Sequence, residues 1–191
     1  MRADSARTLA SHSFLARFSS PSRRRTSRAL ARSVEMSASE VVRSGECFCG
    51  KSRVFVSGEP VAVSICHCSI CRKLSGAPFS AQALCKAEQV RVETADEPTS
   101  VESSPNVRRH RCASCGSPIY ASMTVKGRRQ GEMRAVPLSL INVPGSPNNL
   151  KPTHHMYYGH RVIDVADDLP KFVKSNGELW TPEADAGDRV I

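Results

Sequence analysis

The 191 residues suffice for one core of ordinary size, so the sequence predicts a single folded domain. The chain carries a net charge of +9, but residues 1–36 hold eight of its 27 cations and only two of its 18 acids. The remainder has 19 cations and 16 anions, a net charge of +3, which argues against a body that binds nucleic acid. No apolar run resembles a secretory signal or is long enough to cross a bilayer.

Residues 1–38 form a leader that is rich in arginine and serine and poor in acids. This composition is typical of a mitochondrial or chloroplast transit peptide. The alternatives are a disordered basic tail and an upstream extension before a start at Met36. We expect a mitochondrial or chloroplast location if the leader is a transit peptide and a cytoplasmic one otherwise. We expect no membrane partner, and no nucleic-acid partner once the leader is removed.

From about residue 40, short apolar runs alternate with Gly, Pro, Ser and Asn, a pattern that predicts strands and turns. We expect a mainly β fold of small antiparallel sheets, in a domain covering 40–175 that is followed by a polar tail, 176–191. One short helix is predicted after the second cysteine cluster, with Ser69 as its N-cap and Gly76 at its end. Strands are predicted at 52–57, 61–66, 79–85, 89–93, 107–112, 119–125 and 135–141.

Two cysteine pairs, each followed directly by a glycine, have the spacing of metal-binding knuckles: Cys47 with Cys49, and Cys112 with Cys115. In a reducing compartment such spacings indicate metal ligands rather than disulfides. A glycine after the second ligand can adopt the positive φ that a tight knuckle often requires. Four thiolates complete the tetrahedron around one zinc ion, which predicts a closed, structural site that staples the small β domain.

The segment CHCSICRK, residues 66–73, offers three further ligands, Cys66, Cys68 and Cys71. Three protein ligands leave a fourth position for water or a substrate thiolate, which is the pattern of a catalytic zinc. The alternative is that Cys85 closes this site and both zinc ions are structural. Cys85, however, ends an alternating run and suits a buried strand position. We therefore expect two zinc ions per chain, the second with an open position.

The residues beside these ligands allow several interpretations. His67 is expected to point away from an ion that both of its neighbours hold. A thioredoxin-like redox role for Cys68 and Cys71 lacks the βαβ context that it needs. Arg72 suits either an anionic substrate or a solvated surface, and Lys73 the surface. Candidates for proton transfer, which the sequence does not rank, are His67, His110, His154 and His155.

Four ordered blocks together resemble the GFA domain, which is shared by glutathione-dependent formaldehyde-activating enzyme and centromere protein V. The blocks are GECFCG (45–50), CHCSICRKLSGAPFSA (66–81), RCASCGSPIYA (111–121) and PTHHMYYGHRVIDVADDLPKF (152–172). The resemblance covers about 40–172. It implies a mainly β fold with two zinc sites, in which the four knuckle cysteines form the structural site and the three remaining clustered cysteines hold the second zinc.

The resemblance also implies an activity. The family's named chemistry is the reversible addition of glutathione to formaldehyde, giving S-hydroxymethylglutathione, a carbon–sulfur lyase reaction. The expected partners are therefore a small thiol such as glutathione and an aldehyde. An open zinc position could lower the pKa of a bound thiol and present its thiolate to the carbonyl carbon. The alternative is a non-catalytic, zinc-stapled interaction module of the centromere protein V type.

Overall fold

The computed structural model describes residues 42–126 and 131–183. Within these ranges, no helix is both apolar enough and long enough to span a membrane. The predicted leader, 1–38, and the end of the predicted tail, 184–191, lie outside the described residues.

The strands are β1 (Val42–Glu46), β2 (Ser52–Ser57), β3 (Ala62–Cys66), β4 (Ser80–Lys86), β5 (Val90–Thr94), β6 (Thr99–Ser104), β7 (Val107–Arg111), β8 (Pro118–Val125), β9 (Gly131–Pro137) and β10 (His154–Met156). The α-helices are α1 (Ser69–Ser75) and α2 (Leu138–Ile141).

The described strands form two sheets. A three-stranded antiparallel sheet has the order β1-β2-β5, and a seven-stranded sheet has the order β10-β3-β4-β9-β8-β7-β6. All neighbours in the larger sheet are antiparallel except β10 and β3, which are parallel. The prediction of a mainly β fold with small sheets is confirmed, and so is the short helix after the second cysteine cluster.

Six of the seven predicted strands lie within one residue of observed ones. The prediction for 135–141 is wrong in its second half, because β9 ends at Pro137 and α2 begins at Leu138. Proline has no N–H to continue the ladder, and its fixed φ suits the start of a helix. β1, β6 and β10 were not predicted. The first two expose most of their side chains, and β10 has only three residues, so none of the three gives a clear pattern of alternation.

The N-cap of α1 also differs from the prediction. Cys68, not Ser69, occupies this position, and its Sγ accepts a hydrogen bond from the backbone N–H of Cys71 at 3.4 Å. Gly76 ends the helix in the left-handed conformation, as predicted, and its N–H donates to the carbonyl of Arg72. One cysteine of the second cluster therefore caps the helix that carries another.

The core lies between the two sheets and α2. Its fully buried members include Val54 and Val56 from β2, Ile119 from β8 and Val136 from β9. β1 approaches α2 so closely that a Cβ at Gly45 would lie 1.5 Å from the backbone carbonyl oxygen of Leu140. Only glycine allows this packing, because the obstructing atom belongs to the backbone and cannot rotate away.

We predict that Gly45→Ala lowers the free energy of unfolding by about 3 kcal/mol or more, since β1 and α2 must separate to admit the methyl group. Ser44→Ala, at the preceding and exposed position of β1, is the matched control and should change stability by less than about 0.5 kcal/mol. Urea unfolding of both variants measures the difference. Equal stability of the two variants would show that this close approach does not constrain the fold.

Candidate metal centre and adjoining cavity

Two hairpins of matching geometry carry the first cluster. In the β1–β2 turn, the N–H of Gly50 donates to the carbonyl of Cys47 at 2.9 Å. In the β7–β8 turn, the N–H of Gly116 donates to the carbonyl of Cys112, also at 2.9 Å. Both glycines have a positive φ, 76° and 72°, as the spacing predicted. Each turn thereby points two thiols toward the same region.

The four thiols of these turns converge with the dimensions of a metal site. Their sulfur atoms all lie within 4.8 Å of one another. The Sγ of Cys49 lies 3.6 Å from that of Cys47 and 3.7 Å from that of Cys112. A tetrahedron with Zn–S bonds of about 2.3 Å has sulfur–sulfur edges of about 3.8 Å. The donor set and its spacing therefore fit zinc.

This first cluster joins the two sheets, because β1 and β2 belong to the smaller sheet and β7 and β8 to the larger one. Polar contacts between the turns reinforce the junction. Lys51 donates to the Ser114 hydroxyl at 3.0 Å, and the N–H of Phe48 to the Ser117 hydroxyl at 3.3 Å. Hydrogen bonds with the side chain and backbone of Ser117 lower the pKa of Cys115 to about 5. At Cys115 the junction thus favours the thiolate form that a cation requires, whereas the pKa of the neighbouring Cys49 is raised to about 11.

The second cluster lies where β3 meets α1. Cys66 is the last residue of β3, Cys68 caps α1, and Cys71 is buried in the first turn of that helix. Their three sulfur atoms lie within 4.8 Å of one another. Within the described ranges, no fourth Cys, His, Asp or Glu completes this group. The structure therefore brings together the three residues that the sequence analysis grouped, on one strand end and one helical turn.

Electrostatics within the second cluster also favour a bound cation. Hydrogen bonds from Cys66, and then from Cys71, lower the pKa of Cys68, whereas hydrogen bonding to Cys68 raises the pKa of Cys66. The protein alone thus stabilises one thiolate at the expense of its neighbours. A divalent cation among the three sulfur atoms removes this conflict, because it stabilises all of them as thiolates.

Cys85 does not join either cluster. It is fully buried on β4 within the hydrophobic core, and its Sγ contacts the carbonyl of Ala83 at 3.9 Å. Burial raises the pKa of the Cys85 thiol to about 11, so this residue remains a neutral thiol. The structure places it where the alternation of residues 79–85 predicted, as a small apolar side chain.

A cavity of about 400 Å³ adjoins the second cluster, and Cys71 lies in its wall. This volume is within the range of small-molecule sites. Phe79, Ala81 and Tyr120 supply apolar surface, and Arg109 and His110 of β7 supply polar groups. The cavity therefore combines an apolar lining with a few polar groups next to the thiols, as expected of a substrate site.

Arginines give the region around the cavity a positive charge. Arg109 donates from Nη2 to the Sγ of Cys71 at 3.5 Å, and Arg111 donates to the carbonyls of Gly116 and Leu74. Arg72 donates to the carbonyl of His67. Among the described residues, no carboxylate forms an ion pair with any of these three arginines, so their charge can stabilise thiolates or an anionic ligand. Lys73 is exposed, which matches its predicted surface position.

The four candidate histidines occupy different environments. His67 and His155 are fully buried and hydrogen-bonded to each other at 2.8 Å, and His155 contacts Asp167 at 3.0 Å. Burial lowers the pKa of His67 to about 4, so His67 is neutral at physiological pH. His154 contacts the Thr153 hydroxyl. His110 alone among the four lines the cavity beside the second cluster.

Tyr157 is a residue that the sequence analysis did not single out. Its backbone has a positive φ of 55°, which is uncommon for a bulky side chain. Burial, and then the negative charges of Cys66, Cys68 and Cys71, raises the pKa of its phenol. Tyr157 therefore remains a neutral hydrogen-bond donor near the second cluster. No local pattern could have indicated it, because its importance depends on the parallel pairing of β10 with β3.

The order of these thiol groups matches a known family. A family model described as glutathione-dependent formaldehyde-activating enzyme matches residues 42–160. The chain belongs to this GFA family. The match includes both cysteine clusters, so the resemblance seen in the sequence is confirmed at family level. The family match ends at residue 160, whereas the resemblance described from the sequence extends to residue 172.

One solved structure similar to this GFA-family chain is a crystal structure of a Rhodobacter sphaeroides protein. The two chains are 21% identical, and the similarity covers 55% of this chain and 91% of that one, with a TM-score of 0.41.

We predict that the two clusters differ in their contribution to folding. Cys112→Ser should unfold the domain, because it removes one of the four thiols at the junction of the two sheets, where binding of a metal ion would be coupled to folding. Cys68→Ser should leave the domain folded with one metal ion fewer per chain. Circular dichroism and metal analysis of the purified variants measure these outcomes. Equal loss of folding in both variants would contradict the division into a structural and an open site.

Proposed function

We propose that this protein catalyses the reversible addition of a thiol such as glutathione to an aldehyde such as formaldehyde, and so acts as a carbon–sulfur lyase in the reverse direction. The observation that carries the proposal is the second cluster, which has three thiols, no fourth ligand among the described residues, and a wall shared with a cavity. Membership of the GFA family supports the same chemistry.

In this proposal each cluster would hold one zinc ion. Cys66, Cys68 and Cys71 would hold the ion at the reaction site, and the four thiols of the first cluster would hold a structural ion. An all-thiolate donor set suits zinc better than harder cations such as magnesium or calcium. Zinc with a free position supplies a place where a substrate thiol binds as its thiolate at neutral pH.

The bonds and protons of the reaction balance without an oxidant or a reductant. The sulfur atom forms a bond to the carbonyl carbon while the C=O π electrons move to the oxygen, which takes up a proton. We assign this proton transfer to His110. Its Nε2 lies 3.0 Å from the Ser122 hydroxyl, which itself donates to the carbonyl of Arg108. Nε2 is therefore the donor, and Nδ1, which forms no hydrogen bond with any described residue, can take the thiol proton and return it to the oxygen.

Arg109 contributes charge in this proposal. Its hydrogen bond to Cys71 would offset part of the negative charge of the three thiolates and of a substrate thiolate if the cluster held a divalent ion. Contacts to sulfur ligands of this kind tune a metal site without joining it. The apolar part of the cavity would exclude water and hold the aldehyde against the thiolate.

The two substrates also react without a catalyst, so the proposal is tested by the rate at which ¹³C-formaldehyde exchanges with its glutathione adduct, followed by NMR. The metal-loaded protein should raise the exchange rate in proportion to its concentration, and Cys68→Ser should abolish that increase. An exchange rate that the wild-type protein does not change would contradict the proposal and favour the interaction-module alternative.

Variants of the cavity wall give a finer test. Arg109→Met should lower kcat/KM by about tenfold or more, and His110→Gln should lower kcat more than it raises KM. Arg108→Met is the matched control, since Arg108 is the preceding residue of β7, is exposed, and pairs with Glu102. Comparable rates for Arg109→Met and Arg108→Met would contradict the role that is proposed for the charge of Arg109.

A further inference from the structure

A chain of hydrogen bonds connects the loop of the second cluster to the segment that follows β10. The Nε2 of His67 lies 2.8 Å from the Nδ1 of His155, and the Nε2 of His155 lies 3.0 and 3.1 Å from the two carboxylate oxygens of Asp167. The two histidines are separated by 88 positions in sequence and are both fully buried. Tyr158 packs its ring edge-on against both imidazoles, which limits their rotation.

The chemistry of the three groups sets the direction of these hydrogen bonds. An ionised carboxylate only accepts, so His155 donates to Asp167 from Nε2. The Nδ1 of a neutral His155 is then an acceptor, and His67 donates to it from Nε2. This assignment leaves the Nδ1 of His67 as an unprotonated nitrogen, and no described group forms a hydrogen bond with it. The opposite direction would instead bury an unpaired N–H of His67 and a charged His155.

His67 is fixed through its backbone as well as its side chain. Its N–H donates to the carbonyl of Met156 on β10 at 3.0 Å, and its carbonyl accepts from the Nε of Arg72 at 3.0 Å. The two residues that flank it, Cys66 and Cys68, carry thiols of the second cluster. Any rotation of the His67 peptide units would therefore move the thiols of Cys66 and Cys68 relative to each other.

We propose that Asp167 and His155 are positioning residues that hold His67 as its Nε2–H tautomer, and thereby fix the loop that presents Cys66 and Cys68 to a metal ion. The inference rests on the proposed function only for the presence of a metal ion at the second cluster. The tautomer of His67 and the geometry of its loop do not depend on which reaction is catalysed.

Asp167 also contacts Lys171, whose Nζ donates to a carboxylate oxygen at 2.9 Å and to the Asp167 carbonyl. This contact suggests an alternative explanation, in which Asp167 only closes the 167–171 loop and has no effect on His67. The two roles are separable. Lys171→Met removes the Nζ contacts and keeps the carboxylate on His155. Asp167→Ala removes the carboxylate from His155, from Lys171 and from the Leu169 N–H, and leaves only the backbone carbonyl contact.

The first test uses the unmodified full-length protein, labelled with ¹⁵N at histidine and loaded with zinc. Two-bond ¹H–¹⁵N NMR spectra distinguish protonated from unprotonated ring nitrogens. His67 should show a protonated Nε2 and an unprotonated Nδ1 at neutral pH. A protonated Nδ1 would overturn the proposal, whether or not the protein proves to be a lyase. This test also decides the matter if substitution of Asp167 prevents folding.

The second test measures the affinity of each cluster for cobalt by competition with a chelator, with the four-thiol cluster as the internal reference. Asp167→Ala should weaken binding at the second cluster by about 10- to 100-fold and leave the first unchanged. Asp167→Asn, whose amide oxygen still accepts from His155, should recover most of that loss. Lys171→Met and the neighbouring surface variant Asp168→Asn should bind as the wild type does.

Three results of this second test would overturn the proposal. They are wild-type affinity in Asp167→Ala, an equal loss in Asp167→Ala and Lys171→Met, and an equal weakening of both clusters. Failure of the proposed lyase activity alone would leave the tautomer and the affinities as expected, so the two proposals fail independently.

Discussion

The thiols of two hairpins, one from each sheet, meet in the first cluster and hold the sheets together at that end of the domain. The rest of the core is modest, since aromatic residues make up 5% of the chain and the fully buried side chains are mostly valine, isoleucine and alanine. Structural zinc sites contribute on the order of 10 kcal/mol in small domains, comparable to the net stability of a whole fold. Metal binding at this junction would therefore decide whether the sheets keep the arrangement on which the second cluster depends.

The two clusters consist of the same kind of ligand but differ in what they can do. The first takes two thiols from each of two similar turns, and together these four complete a tetrahedron. The second takes three thiols from a strand end and one helical turn, where Cys68 is both ligand candidate and helix cap. Its surroundings differ as well, since it adjoins a cavity and arginines that form no ion pair with a carboxylate in the described part of the chain. A closed site resists exchange, whereas a site with three ligands beside a cavity can accept a ligand from solution.

The cysteine groups could be predicted from the sequence because ligand spacing within a turn is a local property. The same holds for the positive φ of Gly50 and Gly116 and for most strands, whose alternation is visible in the chain. The end of β9 was missed because the apolar run continues through Pro137 into α2. Cys68 was missed as the N-cap because serine is the commoner residue there. Only the direction of the Cys68 thiol, which accepts from the Cys71 N–H, shows which residue caps the helix.

Long-range contacts account for the remaining differences. The hydrogen bond between His67 and His155 depends on a parallel strand of three residues, which no periodicity reveals. The cavity combines residues of α1 and β4 with residues of β7 and β8, and only the strand order of the larger sheet brings these together. Proton-transfer candidates could therefore be named from the sequence but not ranked, since their ranking depends on burial and on partners that are distant along the chain.

The central claim is that the second cluster has a position for an external thiol, and loading both clusters with cobalt tests it most directly. Thiolate charge-transfer and d–d absorption bands report the number of sulfur ligands at each ion. During titration with glutathione, one of the two cobalt sites should gain a thiolate while the other stays unchanged. Two sites that already show four thiolates and do not respond to glutathione would contradict the claim.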